Sequence, residues 1–473
     1  MARTASPTLT IPDPPLLQAR PGLQEGLVAE PSLDVVTALT VYLGLLLLIP
    51  SELIIGSVGY AVTPASLVGL FALIWWIASR LVPGLGGASG LQPVRAAVYL
   101  LAVSALASYA VAFSRPISDV EFRAADRGLF QVAAAAGLTL LAADGIGDLR
   151  RLNVLLRRLV LLTSVVAALG IIQFATGFDV ARFLRLPGLV PNGALDFIGR
   201  RSDFRRVAGT AAHPIEFGAV LAVVLPLAAH YAFTADRRRW LWWLCLTTTV
   251  LAIPMSLSRT PFVGLFGAAL VLWPTWPPRR RRRSLLALPL FAVALKAAVP
   301  GLLGTIRSLF TNLWSDPSTQ GRTEDYALVG RYVARHPVLG QGFRTFLPKR
   351  YELLDNQYLL TLMETGVVGL AALVLLLLVP VFILRRARKR SQDPPVRDLA
   401  QSLIASMVVL VLAFATFDAL SFPMVAGLLF LLIGCCGALW RLVGRNQVPH
   451  PEGGCGGTAR TGRDLSEDLR PQR

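Results

Sequence analysis

The chain has 473 residues, of which 54% are hydrophobic and 16% are charged, and its formal net charge is +18. This composition excludes an ordinary soluble globular protein and predicts one that crosses the membrane several times. Nearly all of the excess positive charge is arginine. In a membrane protein this indicates loop orientation and contact with anionic lipid, and we expect no nucleic-acid partner.

Apolar stretches long enough to form transmembrane helices follow a polar, proline-rich tail over residues 1–34. Nine are predicted in residues 35–300: Val35 to Pro50, Pro64 to Leu81, Val94 to Phe113, Gly128 to Ala143, Leu159 to Ala175, Ile215 to Phe233, Leu241 to Leu257, Pro261 to Trp276 and Leu285 to Pro300. Residues 357–442 contain three more, Gln357 to Leu384, Leu399 to Phe417 and Pro423 to Leu442, before a second predicted disordered tail over residues 443–473. The predicted fold is an all-α polytopic membrane protein of about 12 helices.

Arginine placement predicts the orientation of these helices, because short loops rich in Lys and Arg stay in the cytoplasm. Alternate loops carry the basic residues: Arg80 and Arg95, Arg150 to Arg158, Arg237 to Arg239, Arg279 to Arg283 and Arg385 to Arg390. Both termini are therefore predicted to be cytoplasmic. A large loop over residues 301–356, between helices 9 and 10, is predicted to be external.

Two predicted external loops are nevertheless rich in arginine. Residues 177–212 contain Arg182, Arg185, Arg200, Arg201, Arg205 and Arg206, and residues 301–356 contain Arg307, Arg322, Arg331, Arg335, Arg344 and Arg350. Long loops are exempt from the orientation rule, so a solvated basic surface accounts for any one of these arginines. Two such clusters together favour an anionic, phosphate-bearing substrate, because guanidinium groups bind phosphate in a bidentate manner.

Within the larger loop, Arg322 to His336 is predicted to form a short amphipathic helix that Pro337 ends. Arg331 and Arg335 are four residues apart and share one face, where they could hold a diphosphate or simply face solvent or lipid headgroups. Asp355 and Asn356 occupy the capping position before the next helix, and capping alone would explain both.

Ionisable groups at the helix ends are further candidates. Glu364 lies about two turns into its helix, where a charge usually faces a cavity or a partner. Arg259, in SLSRTP, is either a functional cation or an interfacial arginine that reaches water. Asp418 in ATFDALSFP ranks below them. His213 could accept a proton, but a histidine at a helix start before proline is more often structural. The spacing of the four cysteines predicts no metal site, and we expect no cofactor.

Four motifs together carry a family resemblance: RRVAGTAAHPIEFGAVL, SLSRTPFVGL, GRTEDYALVGRYVARHPVLGQGFRTF and LDNQYLLTLMETGVVGL. This combination, over roughly Arg205 to Leu370, resembles the O-antigen ligase and O-antigen polymerase family of bacterial membrane glycosyltransferases. The resemblance implies transfer of a glycan from a polyprenyl-diphosphate carrier to a hydroxyl of a glycan, lipid or protein acceptor. It also implies a location in the bacterial cytoplasmic (inner) membrane, with the reaction on its outer face.

By position in these motifs, the resemblance assigns diphosphate binding to Arg206, Arg259 and Arg322, with Arg331 and Arg335 in reserve. Many ligases of the family have a His-Asn pair where this chain has Asp355 and Asn356, so Asp355 is the candidate general base. An aspartate needs a raised pKa for that task. His336 ranks below it, and Glu364 completes the candidate catalytic set.

Two other functions stay open from the sequence. A polytopic transporter or lipid-linked glycan flippase would also place ionisable side chains in helices, but no internal repeat is evident and the polar residues gather at one face. A non-catalytic subunit of an export complex is excluded only by the motifs. The choice between polymerase and ligase also stays open.

Overall fold

The computed structural model describes residues 34–56, 62–82, 90, 92–179, 183–184, 186–192, 199–201, 204–311, 329–347 and 354–445. Helices dominate these ranges: α1 Val35–Leu48, α2 Pro64–Leu81, α3 Pro93–Ala112, α4 Asp119–Gly145, α5 Leu149–Thr176, α6 Pro214–Thr234, α7 Arg239–Ala252, α8 Arg259–Leu272, α9 Pro278–Ala298, α10 Leu302–Thr311, α11 Gln357–Arg390, α12 Pro394–Ala413 and α13 Pro423–Arg445. Residues 329–335 form a further helical segment. Both predicted tails lie outside the described residues, apart from residues 34 and 443–445.

Eight of the described helices are long and apolar enough to cross a membrane: α2 to α6 and α11 to α13. Helices α9 and α10 pass the same test only as a pair bent by 117°, which would make nine spans. Helices α1, α7 and α8 have 14 residues each, fewer than a full crossing requires. The all-α polytopic fold is therefore confirmed, whereas the number of twelve spans stays a prediction.

Helix boundaries follow from local capping chemistry. Helix α4 begins nine residues before the predicted Gly128, because Ser118 and Glu121 form a reciprocal capping box. Helix α11 continues through the predicted loop from Arg385 to Arg390, where basic side chains favour the negative end of the helix dipole. The predicted loop from residue 301 begins instead with α10. The buried side chain of Leu302 packs there with Leu257 and Leu295.

Two small antiparallel sheets were not predicted. Strand β1, Leu53–Ile55, pairs with β2, Leu189–Pro191, and so joins the α1–α2 connection to the α5–α6 connection. Strand β3, Gly199–Arg201, pairs with β4, Phe204–Arg206, within the second of these connections. Strands of three residues carry too little alternation for the sequence to reveal them.

The bundle has a buried centre and an apolar outer surface. Helix α6 is buried along most of its length and packs against α7, α8 and α12, and α13 packs against α4 and α11. Helix α9, by contrast, exposes Leu286, Leu288, Leu290 and Val293, as expected for side chains that face lipid. The connections α1–α2, α5–α6, α7–α8 and α12–α13 meet at one end of the bundle, which we call the site end.

Candidate functional site

The HPVLGQG turn and the METGVVG stretch form one interlocked unit at the site end. Helix α11 is broken at Gly366, whose φ of 65° is left-handed. Four backbone hydrogen bonds join the turn to the break: Gln341 N to Met363 O, Gly342 N to Glu364 O, Val367 N to Pro337 O and Val368 N to Val338 O, at 2.9–3.2 Å. A Cβ atom on Gly340 would lie 2.3 Å from the Glu364 backbone, so this approach requires glycine.

Glu364 anchors this unit. Its side chain is 5% exposed, and its carboxylate accepts hydrogen bonds from the backbone N–H groups of Arg344 and Phe346. Its carbonyl oxygen also accepts a 2.7 Å hydrogen bond from Ser108 Oγ on α3. These contacts fix the turn at 340–346 against α3 and α11, so the structure gives Glu364 a positioning role.

Asn356 and Asp355 have separate roles. The Asn356 side chain caps α11, because its Oδ1 accepts from Tyr358 N at 3.0 Å and Leu359 N at 3.3 Å. The neighbouring Asp355 lies near Asp418 in the α12–α13 connection, close enough for the two charges to interact. Burial, and then the charge of Asp355, raise the pKa of Asp418 to about 6. A pair of carboxylates therefore stands where the sequence suggested one.

His213 is a capping residue with little basicity. Its Nδ1 accepts a 3.2 Å hydrogen bond from Ile215 N, which leaves the proton of the neutral ring on Nε2. Burial and the nearby charge of Arg206 lower the pKa of His213 to about 4. The ring is thus a neutral hydrogen-bond donor near pH 7 and lies 6.1 Å from the ring of Phe422.

The segments that carry Arg206 and Arg259 meet beside the α12–α13 connection. Val207 N, next to Arg206, donates to Met255 O at 3.4 Å, in the turn that precedes α8. Thr260, next to Arg259, shares a 2.8 Å hydrogen bond with Thr416, two residues before Asp418. Both cationic segments therefore converge on the connection that carries Asp418.

The remaining predicted site residues are scattered. Arg331, Arg335 and His336 lie on the exposed surface of the segment that ends before Pro337. Arg322 and the first part of the predicted amphipathic helix lie outside the described residues. In the described ranges, no group of three or more His, Cys, Asp or Glu side chains could hold a metal ion.

The site end also contains two cavities that adjoin each other. The polar cavity has a volume of about 260 Å³ and is lined by Arg127, Arg344, Glu364 and Asp418, among others. The apolar cavity has a volume of about 160 Å³ and lies between α1, α2, α3, α4, α11 and α13. Arg344 was predicted only as one of the basic residues of the 301–356 loop, and Arg127 had no predicted role. The available signal for Arg127 was an arginine just ahead of a predicted span.

Comparisons with known proteins agree with the motifs. Residues 243–374 match the family described as O-Antigen ligase. This range contains the Arg259 segment, the interlocked turn and the first part of α11. Arg206, His213 and Asp418 lie outside it. A comparison with curated proteins gave no match.

Proposed function

We propose that the chain, whose residues 243–374 match the O-antigen ligase family, transfers a glycan from a polyprenyl-diphosphate carrier to an acceptor hydroxyl. The reaction takes place at the site end, on the outer face of the bacterial cytoplasmic membrane. O-antigen ligase-type transferases are membrane enzymes of surface polysaccharide synthesis.

The reaction makes two demands on the protein. The bond between the anomeric carbon and a diphosphate oxygen breaks, and negative charge develops on the leaving diphosphate. The acceptor oxygen forms the new bond to the anomeric carbon and loses its proton. Fixed cations stabilise the first change, and a carboxylate of suitable pKa accepts the proton in the second.

The observation that carries the proposal is the convergence at the α12–α13 connection. The Arg206 segment reaches it through the contact of His213 with Phe422, and the Arg259 segment through Thr260 and Thr416. The segments that carry Arg206 and Arg259 thus both border the connection that carries Asp418. We assign the diphosphate to these two arginines together with Arg322, and we keep the exposed Arg331 and Arg335 as contacts to the carrier during entry.

We assign the proton acceptor to the pair Asp355 and Asp418 rather than to Asp355 alone. An ordinary aspartate is a weak base, whereas the pKa of Asp418 near 6 is much closer to the pH at which a membrane enzyme works. A neutral His213 can donate its Nε2 proton in a hydrogen bond to a phosphate oxygen. Glu364 positions the 340–346 turn, and His336 ranks last as a base because it lies on the exposed surface.

The proposal is tested with the purified full-length protein, a polyprenyl-diphosphate oligosaccharide and a glycan acceptor, by measuring release of the polyprenyl diphosphate. We expect Arg259→Gln and Arg322→Gln each to slow release about 10²-fold or more, because a fixed cation for the leaving group is lost. Arg123→Gln, on the exposed start of α4, is the matched control and should retain wild-type turnover.

Wild-type turnover in Arg259→Gln would contradict the diphosphate assignment. Movement of the lipid-linked glycan across liposomes without cleavage of the sugar–phosphate bond would instead favour a flippase. Labelling from outside intact cells of a cysteine introduced at Ser318 tests the orientation. Protection of that cysteine would show that the loop over residues 301–356 faces the cytoplasm.

A further inference from the structure

Glu216, in the HPIEF part of the first family motif, is a buried carboxylate with no part in the diphosphate contacts or the proton transfer. It lies in the first turn of α6, and its side chain is fully buried. Within the described residues it forms no ion pair, and it lines neither of the two cavities. Burial of a carboxylate without a counter-ion is costly unless hydrogen-bond donors surround it.

Donors from three segments of the site end surround this carboxylate. Its Oε2 accepts from Ala212 N at 2.7 Å and from Ser51 Oγ at 3.3 Å, in the α5–α6 and α1–α2 connections. Its Oε1 accepts from Met424 N at 2.7 Å, and Val425 N also donates to the carboxylate. A carboxylate, which only accepts hydrogen bonds, matches a set that consists of donors alone. One side chain therefore joins two connections to the start of α13.

The contacts with Met424 and Val425 cap α13 from a residue that lies 208 positions away in the chain. Helix α13 begins at Pro423, and the side chain of the preceding Phe422 has no acceptor for the free N–H groups of the first turn. Glu216 supplies this acceptor, and its charge suits the positive end of the helix dipole. A serine at position 422 would cap α13 locally. What the distant cap adds is a fixed spacing between α6 and α13.

The start of α6 also lies against the segment that carries Arg259. Gly218 faces Ser256 and Pro261, because a Cβ atom in its place would lie 2.8 Å from Ser256 Oγ and 2.9 Å from Pro261 Cγ. These two residues stand on either side of Arg259 in the chain. The part of α6 that carries Glu216 is therefore in direct contact with one of the two cationic segments.

The start of α13 leads back to Asp418 through a short connection that side chains hold at two points. Gln357 Oε1, on α11, accepts from Leu420 N at 2.8 Å. Glu216 Oε1 accepts from Met424 N on the other side. Loss of the second contact would let the connection move relative to α6. A displacement of about 1 Å in an active site slows a reaction on the order of 10²-fold.

We propose that Glu216 is a positioning residue for the glycosyl transfer, which holds the connection carrying Asp418 at a fixed spacing from the segment carrying Arg259. This role rests on the proposed function above, and Glu216 acts through the backbone of the two segments without touching the reacting atoms. Its loss should lower kcat rather than raise KM, because the carrier still binds while the proton acceptor is misplaced.

The first measurement is kcat and KM for carrier release by the purified full-length protein. Glu216→Gln keeps the length of the side chain but replaces one acceptor oxygen by an N–H donor, so one of its two groups of partners is lost. We expect kcat to fall about 10²-fold, with KM within about threefold of wild type. Glu216→Asp keeps the charge but is one methylene shorter, so its kcat should fall as well.

Asp144→Asn is the matched control for a general loss of stability. It removes the buried partner of Arg80 and Arg95 at the other end of the bundle. Below its unfolding temperature this variant should retain the wild-type kcat. A fall in kcat as large as that of Glu216→Gln would overturn the positioning role, because activity would then follow stability alone.

The second measurement is amide hydrogen exchange, which needs no glycan donor. In Glu216→Gln, exchange should rise at least about fivefold at the backbone donors of the carboxylate and over residues 418–422. The 337–342 turn should exchange as in wild type. Ser51→Ala removes only the 3.3 Å hydrogen bond and is the milder variant. It should lower kcat about twofold to fivefold.

The two measurements distinguish failure of the positioning role from failure of the proposed function. Wild-type kcat in both Glu216 variants would overturn the role and leave the proposed function in place. Should neither variant fold, wild-type kcat in Ser51→Ala would overturn the role. Absence of carrier release by the wild type would overturn the proposed function. Hydrogen exchange over residues 418–422 then shows whether Glu216 fixes the connection, and equal exchange in wild type and Glu216→Gln would overturn that as well.

Discussion

The two ends of the bundle differ in how most of their buried carboxylates are engaged. At the end opposite the site, Asp144 is 3% exposed and pairs with both Arg80 and Arg95, the latter at 2.8 Å. Asp398 likewise contacts Arg280 at 3.3 Å and His230 at 2.6 Å. At the site end, Arg115 also pairs with the buried Glu121, at 3.5 Å. The carboxylates of Glu364 and Asp418 accept hydrogen bonds there from backbone and hydroxyl donors, and both interact with the charge of Arg344.

This difference separates structural from functional charge. At the end opposite the site, Arg80 and Arg95 share the carboxylate of Asp144, and these ion pairs join the helix ends. At the site end, backbone hydrogen bonds and close glycine contacts join the segments, and Arg127 and Arg344 are not neutralised by an ion pair within the described residues. Backbone contacts therefore supply much of the cohesion at the site end. Each prediction below tests one side of this comparison.

The largest expected effect is on stability at the paired end. Asp144→Asn removes the counter-charge of two partly buried arginines and a 2.8 Å acceptor of Trp76 Nε1. We expect it to lower the free energy of unfolding by about 3–5 kcal/mol, because it leaves buried charge uncompensated. Thermal unfolding of the purified protein in detergent measures the loss.

Asp148→Asn is the matched control for this change. Asp148 lies on the exposed turn before α5, where its side chain caps the helix and is 52% exposed. Asparagine caps a helix about as well as aspartate, so the loss should stay below about 1 kcal/mol. Equal losses in the two variants would show that the buried ion pairs of Asp144 contribute no more to stability than the exposed side chain of Asp148.

The next effect tests cohesion by backbone contact at the site end. Gly340→Ala places a methyl group 2.3 Å from the Glu364 backbone, at a φ of 68° that disfavours any L side chain. We expect a stability loss of about 1–3 kcal/mol and, if the turn positions the site, a larger loss of glycan transfer. Gly330→Ala, which has no neighbour within 4 Å, should change neither property. Normal transfer by Gly340→Ala would show that the turn does not position the active site.

The carboxylate pair predicts a pH dependence. Since burial and Asp355 raise the pKa of Asp418 to about 6, the basic carboxylate form grows as pH rises through that value. Transfer should therefore increase from pH 5 to pH 7 with a midpoint of about 6. In Asp355→Asn the like charge is absent, so the pKa of Asp418 falls and the midpoint should move to lower pH. An unchanged midpoint would show that the charge of Asp355 does not affect the pKa of Asp418.

The sequence predicts the membrane class and most of the helices, because long apolar runs bounded by charge report burial in lipid directly. It places the Asn356 cap correctly, since that contact is local. It misses the break at Gly366 and the interlock with the 337–342 turn, because both depend on two segments that lie more than 20 residues apart along the chain. Strongly apolar residues on both sides of Gly366 look like one helix.

The candidate site shows the same limit. Motif position pointed to Arg206 and Arg259, and the structure brings their segments to one connection. The sequence ranked Asp418 low because an aspartate between two helices gives no sign of its neighbours. Its proximity to Asp355 depends on how α11 and α13 pack, and so does the convergence of Arg127 with Arg344. Local patterns find charged residues, whereas only packing shows which of them share a site.

The smallest expected effect is the most direct test of the comparison. Arg127→Gln removes a charge that has no ion pair in the described structure and relieves its repulsion with Arg344. Its free energy of unfolding should therefore stay within about 0.5 kcal/mol of wild type. Arg95→Gln removes a charge that Asp144 neutralises at 2.8 Å and should cost about 3 kcal/mol or more. Thermal unfolding of both variants in the same detergent gives the contrast. A loss in Arg127→Gln as large as that in Arg95→Gln would mean that Arg127 stabilises the fold. The distinction between arginines with and without an ion pair would then not hold for Arg127.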